Sequence, residues 1–196
     1  MIPTLEVRRI QASDEARLIA FHAGLSTDTK YRRFLSYHPT LAADEVHRFT
    51  HVDGADRVAL VALQDDAIIA VARYDRLDTI ADSADVAFVV TDAWQGEGLG
   101  TVLLKCLTNI ALTHGIERFT ADTLTTNIGM MRVFRATGFP LTVTHDHGVS
   151  HVEFPITPPV TPSDWKDVVH AYWDHHSLAD DAAQRACDVG GISHLV

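Results

Sequence analysis

The sequence predicts an α/β fold, read as an α+β mixed sheet with helices on both faces. Three observations predict it. Short β-branched apolar runs alternate with stretches whose apolar residues recur at helical spacing. The runs 57–63 and 67–74 are separated by Gln64, Asp65 and Asp66, which reads as a hairpin. The run 84–90 passes through a glycine-rich turn into an amphipathic stretch, the junction of a sheet strand with a covering helix.

The elements follow in order. "TLEVRRI" is the first strand. Ser13, Asp14 and Glu15 open a helix that runs through "ARLIAFHAGL" and ends near Gly24. A second helix fits "TLAADEVHRFTHV", with Leu41, Val46 and Phe49 on one side. "RVALVAL" and "AIIAVARY" form the hairpin, and "ADVAFVV" is a further buried strand. From Leu99, the residues Val102, Leu103, Cys106, Leu107 and Ile110 mark one helical stripe, closed by Gly115. "RFTADTL" is a strand and "NIGMMRVFRAT" a helix ended by Gly138. "LTVTH" and "SHVEFPI" are the last strands, joined at Asp146, His147 and Gly148. The order is β-α-α-β-β-β-α-β-α-β-β.

Residues 155–163, "PITPPVTPS", hold four of the seven prolines and mark the end of this unit. The expected division is therefore a domain at 1–156 and a Pro-rich hinge with a helical C-terminal extension at 157–196. In that extension Trp165, Val168, Val169, Tyr172 and Trp173 share a helical stripe, and Ser177 opens a last helix ending at Gly190 and Gly191. The stripe is expected to pack on the domain or on a second copy of the chain as a homodimer, rather than act as a substrate lid.

Composition excludes several classes. The 196 residues are 46% hydrophobic and 21% charged, as in an ordinary globular protein. With 16 basic against 26 acidic residues the net charge is −10, which repels nucleic acid and anionic membrane. The longest apolar runs are too short to span a bilayer. The N-terminus carries no secretory signal pattern, and two cysteines make no disulfide framework. A cytoplasmic location is the default expectation.

The stretch "AWQGEGLGT", 93–101, poses the functional question. Glycine at 96, 98 and 100 weakens any regular element, yet allows close approach to bare backbone. A strand–turn–helix junction aims several N–H groups at one spot, with the positive end of the helix dipole behind them. Such a site binds phosphate without a cationic side chain, which suits an acidic protein. A P-loop fails because no Lys-Ser or Lys-Thr follows, and the spacing G-x-G-x-G is not the dinucleotide fingerprint. A tight turn without a ligand fits the local physics equally well.

Gln95 to Gly100 matches Q/R-x-x-G-x-G/A, and so resembles the pyrophosphate signature of the GNAT N-acetyltransferase superfamily. The element order and "TTNIGMMRVFRATGF", similar to that superfamily's second motif, extend the resemblance over about residues 3–156. "KYRRFLSYHPTL", "DRVALVAL", "ADVAFVV" and "IERFTADTL" narrow it to the acetyltransferase domain of bacterial Pat-type protein lysine acetyltransferases. In those enzymes the domain is often joined to a nucleotide-binding or acyl-CoA-synthetase-like region, for which 196 residues leave no room, so nucleotide control is not expected.

The resemblance implies the GNAT fold, a mostly antiparallel sheet, and transfer of an acetyl or other short acyl group from acyl-CoA to a primary amine. Acetyl-CoA is the implied co-substrate, and a protein lysine or a small-molecule amine the acceptor. The implied cofactor-binding set is Val89, Val90, Thr91, Gln95, Gly96, Glu97, Gly98, Leu99, Gly100, Thr101, Asn127 and Met130. The pantetheine arm is expected to pair with the backbone at 89–91, where the third and fourth strands of the sheet splay. The diphosphate is expected on the N–H groups of Gly96, Gly98, Gly100 and Thr101. Arg132 and Arg135 are candidates for the 3′-phosphate.

The Pat-type base, a Glu, is matched by Asp85, one methylene shorter; Asp122 is the second choice. The thioester oxygen is expected to meet the N–H of Val89. Where many family members carry a Tyr acid, this chain has Phe134, which leaves water to protonate the thiolate. Those two departures support the rival reading, a non-catalytic acyl-CoA-binding regulator. Among the twelve histidines, His145, His147 and His151 flank one hairpin, and His175 and His176 follow Asp174; no metal is expected at either. Cys106 lies on an apolar stripe, so a covalent acyl-Cys route is not expected.

Overall fold

The structure is a computed structural model that describes residues 5–80, 82–156 and Val169. Its strands are β1 (Leu5–Arg9), β2 (Arg57–Gln64), β3 (Ala67–Arg76), β4 (Ser83–Val90), β5 (Arg118–Leu124), β6 (Thr142–Asp146) and β7 (Val149–Pro155). Its helices are α1 (Glu15–Gly24), α2 (Thr27–Phe34), α3 (Ala43–Thr50), α4 (Leu99–Thr113) and α5 (Ile128–Arg135). Among the described residues the strands form one sheet in the order β1-β2-β3-β4-β5-β7-β6, antiparallel except between β4 and β5.

Turn chemistry sets the hairpins. Asp65 and Asp66 both take positive φ (48° and 72°), as do His147 and Gly148 (44° and 87°). Two successive left-handed residues give the turn whose twist matches paired strands. The start of α1 differs from the expected cap: Ala12–Asp14 is a separate 3-10 turn. Fully buried Asp14 reaches back to the N–H of Gln11 (2.9 Å) and takes both arms of Arg8 (2.7 Å each), which lowers its pKa.

The sheet carries a core on each face. Tyr74, Ala84, Val86, Phe88, Phe119 and Ala121 join Leu99, Leu103 and Leu107 of α4 in the larger one. Ala59, Val61 and Leu63 join Ile10, which follows β1, and Leu18 and Phe21 of α1 in the smaller. Val169 is helical and buried in the α4-side core; the remaining stretch 157–196, with the other predicted tail elements, lies outside the described residues.

One helix was not legible. α2 has no apolar stripe, and its sequence TDTKYRRF is almost wholly polar. It forms because Ser26 caps it, its hydroxyl accepting from the Thr29 N–H at 3.2 Å, and because Asp28 and Arg32 pair one turn apart at 2.7 Å. It packs across β4 and β5. The element order therefore has three helices, not two, before β2.

The splay also falls elsewhere than expected. β3 and β4 stay paired through Ala70 and Val90. β4 and β5 pair only from Ser83/Arg118 to Asp85/Thr120, then part, and α2 lies across the opening. No helix among the described residues is long and apolar enough to cross a membrane.

Candidate functional site

The site grows from the parting of β4 and β5. In an antiparallel ladder alternate residues turn their backbone groups to opposite edges. The Thr91 N–H bonds the Ile69 carbonyl on β3 (2.9 Å), so Val89, two residues back, also spends its backbone groups on β3. Phe88 and Val90 therefore face the open edge. Val90 shows this directly, since its carbonyl accepts from Gln95 Nε2 at 3.1 Å. This corrects the expectation that Val89 and Thr91 offer their N–H groups; the edge donors are those of Phe88 and Val90.

Past β4 the chain turns through Asp92–Trp94 into the glycines. Gly96 and Gly98 adopt φ of +91° and +84°, and Gly98 is the residue before α4. A side chain at Gly100 would place its Cβ 3.2 Å from Val133 of α5, so glycine there lets α5 close on α4. The N–H groups of Gly96, Gly98, Leu99 and Gly100 meet no acceptor among the described residues. Thr101 is different: its N–H already closes the first turn on the Gly98 carbonyl at 3.0 Å. Four open amides at the start of a 15-residue helix make an anion cradle.

A cavity of about 360 Å³ joins this cradle to the β4 edge. Val89, Val90, Gln95, Gly96, Gly98, Leu99, Gly100, Thr101, Asn127 and Met130 line it, as does Arg132. Thr91, Glu97 and Arg135 are not in its wall. Asn127 caps α5, its Oδ1 accepting from the Met130 N–H at 3.1 Å, which leaves the NH₂ end of its amide unspent. Gln95 is a brace: besides Val90 it donates to the Thr29 hydroxyl at 3.0 Å. The sequence reading missed Thr29, Arg32, Phe88 and Trp94, also in the wall, because α2 and the edge parity were not visible in it.

A second cavity, about 230 Å³, adjoins the first and shares Arg32, Phe88, Asn127 and Met130 with it. Asp85, Asp122, Arg33 and Phe134 line it. Asp85 and Asp122 share one face of the sheet, because Asp85 pairs with Thr120 and Asp122 lies two residues on. Asp85 is open to water at the mouth, yet protein atoms crowd its other sides. That loss of hydration pushes its carboxyl up to about 6; Arg33 opposes the shift while Asp122 and Asp75 add to it. Asp122 lies directly across the ladder from His151, 2.5 Å from its Nδ1.

The remaining candidates separate. His145 Nδ1 lies 2.9 Å from the Ser150 hydroxyl and His147 pairs with Asp146, so with His151 on Asp122 the hairpin histidines take three different partners. Asp174, His175 and His176 lie outside the described residues, as does Cys187. The Cys106 thiol is fully buried, and burial pushes it up to about 12. Phe134 is 1% exposed and packs on Phe154.

Residues 4–140 match the family model of the acetyltransferase (GNAT) domain. The acetyltransferase Pat of Mycolicibacterium smegmatis is 34% identical over 155 residues, covering 78% of this chain and 46% of that protein. The chain thus spans about half the length of this curated relative. The crystal structure of the GNAT domain of S. lividans PAT superposes with a TM-score of 0.72 at 39% identity, covering 77% of this chain and 90% of that one. A cAMP-binding acyltransferase from Mycobacterium smegmatis gives a TM-score of 0.57 at 26% identity, covering 87% of this chain and 53% of that one. With a cradle of open amides, a parted sheet edge and this match over most of its length, the chain belongs to the GNAT acetyltransferase family.

Proposed function

We propose that this chain transfers an acetyl or other short acyl group from acyl-CoA to a primary amine, with Asp85 as general base. The observation that carries the reading is the adjacency of two cavities. One holds open amides and an unpaired strand edge, and the other holds a carboxyl whose pKa lies near working pH.

The residues fit acyl-CoA. The amides of Gly96, Gly98, Leu99 and Gly100 suit its diphosphate, the open edge at Phe88 and Val90 suits the amides of its pantetheine arm, and Arg132 suits its 3′-phosphate. Acyl-CoA supplies an activated thioester; the protein supplies orientation and proton transfer. An alkylammonium of pKa about 10.4 is neutral in only about one molecule in 2,500 at pH 7. Asp85, about nine-tenths ionised at that pH given a pKa near 6, takes its proton directly or through water. The freed amine bonds to the acyl carbon as the carbon–sulfur bond breaks. An N–H on the open edge, from Phe88 or Val90, meets the charge that develops on the thioester oxygen. Phe134 offers no proton, so water protonates the thiolate, a good leaving group.

The resemblance of the sequence to Pat-type protein lysine acetyltransferases supports a protein lysine as the acceptor. Thiol release measured with several acyl-CoAs against amines and lysine peptides tests the reading. Amine-dependent release supports it. Binding of acyl-CoA without release throughout the panel makes the chain a non-catalytic acyl-CoA-binding regulator instead.

A further inference from the structure

Arg33, on α2, is an uncommitted charge, unlike three other arginines of the fold. Arg32 pairs with Asp28 at 2.7 Å. Arg73 and Arg57 both bind Asp75, at 2.9–3.1 Å. Arg33 makes no hydrogen bond and no ion pair among the described residues. Its guanidinium carbon lies 5.0 Å from the centroid of the Phe34 ring. It is half-buried and lines the 230 Å³ cavity together with Asp85 and Asp122.

A guanidinium drawn out of water without an acceptor is unfavourable in a folded protein. Its donors form a fixed fork that matches a carboxylate. Asp85 does not fill that role, since it too lacks a hydrogen bond or ion pair among the described residues. The field around Arg33 explains why it stays open. Arg73 and Arg48 repel it, Asp75 is already held by two arginines, and Asp85 attracts it only at longer range. The cavity therefore presents two opposite charges, one from α2 and one from β4, that do not neutralise each other.

We propose that this cavity binds an acceptor carrying a carboxylate beside its amine, the carboxylate on the Arg33 fork and the amine at Asp85. The proposal rests on the acyltransferase reading. A simple diamine fits poorly, because its second ammonium would face Arg33. The shared chemistry, an amine with a nearby carboxylate, belongs both to a free amino acid and to a lysine flanked by an acidic residue in a peptide.

Matched acceptors test this by thiol release from acetyl-CoA. One arm compares lysine with cadaverine, which lacks only the carboxylate. The other compares lysine peptides with Glu or Gln beside the reactive residue. The intact protein should favour the carboxylate-bearing member by about tenfold or more in kcat/KM in one arm, and that arm identifies the source. Arg33→Met should bring the ratio to within about twofold, and Arg33→Lys, a point charge without the fork, should leave it between the two. Equal kcat/KM for both members in both arms overturns the carboxylate subsite while leaving acyl transfer standing, and needs no variant. An unchanged ratio in Arg33→Met or Arg33→Lys overturns the assignment to Arg33. Absence of thiol release with every acceptor overturns the subsite and the acyltransferase reading together.

Discussion

Ser26 donates both its backbone N–H and its hydroxyl to the carboxylate of Asp92, at 3.0 and 2.7 Å. The contact spans 66 positions and ties the first turn of α2 to the loop that enters the glycine cradle. Thr29 adds a third donor at 2.7 Å. Burial alone would raise the Asp92 pKa, but these bonds outweigh it and lower the value.

Asp92→Ala should destabilise the fold by about 0.5–2 kcal/mol, since it removes the carboxylate that holds the cap of α2. A denaturant titration reads this directly. Acetyl-CoA affinity should fall in the same variant, because the loop before Gly96 loses its anchor.

Asp85→Asn should lower kcat and remove an acidic limb centred near pH 6, below which the intact base is protonated. Acetyl-CoA affinity should stay nearly unchanged. Stability runs the other way. The folded pKa of Asp85 lies above its unfolded value, so the native state holds more protons between about pH 4 and 6. Stability therefore falls as pH rises through that window and is lowest above it. Asp85→Asn should be more stable than the parent at pH 7 by about 1 kcal/mol, a modest figure because solvent at the mouth screens the carboxyl. Melting at pH 4 and pH 7 should show the gap only at the higher pH.

Asp122→Asn separates the two carboxylates. The charge of Asp122 is one of the influences holding the Asp85 carboxyl up. Its removal should move the acidic limb of the kcat profile to lower pH while turnover persists. Loss of turnover comparable to that of Asp85→Asn would make Asp122 the base.

Gly98→Ala should weaken acetyl-CoA binding by about tenfold or more, because φ of +84° is costly for any residue with a Cβ, and relaxation turns the cradle amides away. The comparison at Gly24, where nothing lies within 4 Å and no positive φ is recorded, should be neutral for binding. Calorimetry of both variants makes the check.

Much of this architecture could be read from residues alone. "RFTADTL" is β5 residue for residue, and the two hairpins follow from their left-handed turn residues. At the 96–100 turn the local physics fitted an empty turn equally well, and it was the Q/R-x-x-G-x-G/A spacing that singled the stretch out. What escaped was held by distant polar contacts. α2 carries no apolar period, and its cap depends on Asp92. The parity of Phe88 and Val90 is set by register with β3, which no local pattern encodes. Arg33 stands beside Arg32 in a stretch where no helix was legible, and only the structure separates the two: Arg32 pairs with Asp28, whereas Arg33 has no hydrogen bond or ion pair among the described residues.

The claim beneath these predictions is that open backbone amides, with no cationic side chain in the turn, hold the diphosphate of coenzyme A. Calorimetric titration with acetyl-CoA, coenzyme A and pantetheine, which lacks the diphosphate, tests it most directly. Acetyl-CoA and coenzyme A should both bind, and pantetheine at least about a hundredfold more weakly. Equal affinity for pantetheine, or no heat with coenzyme A and its thioester, would contradict it.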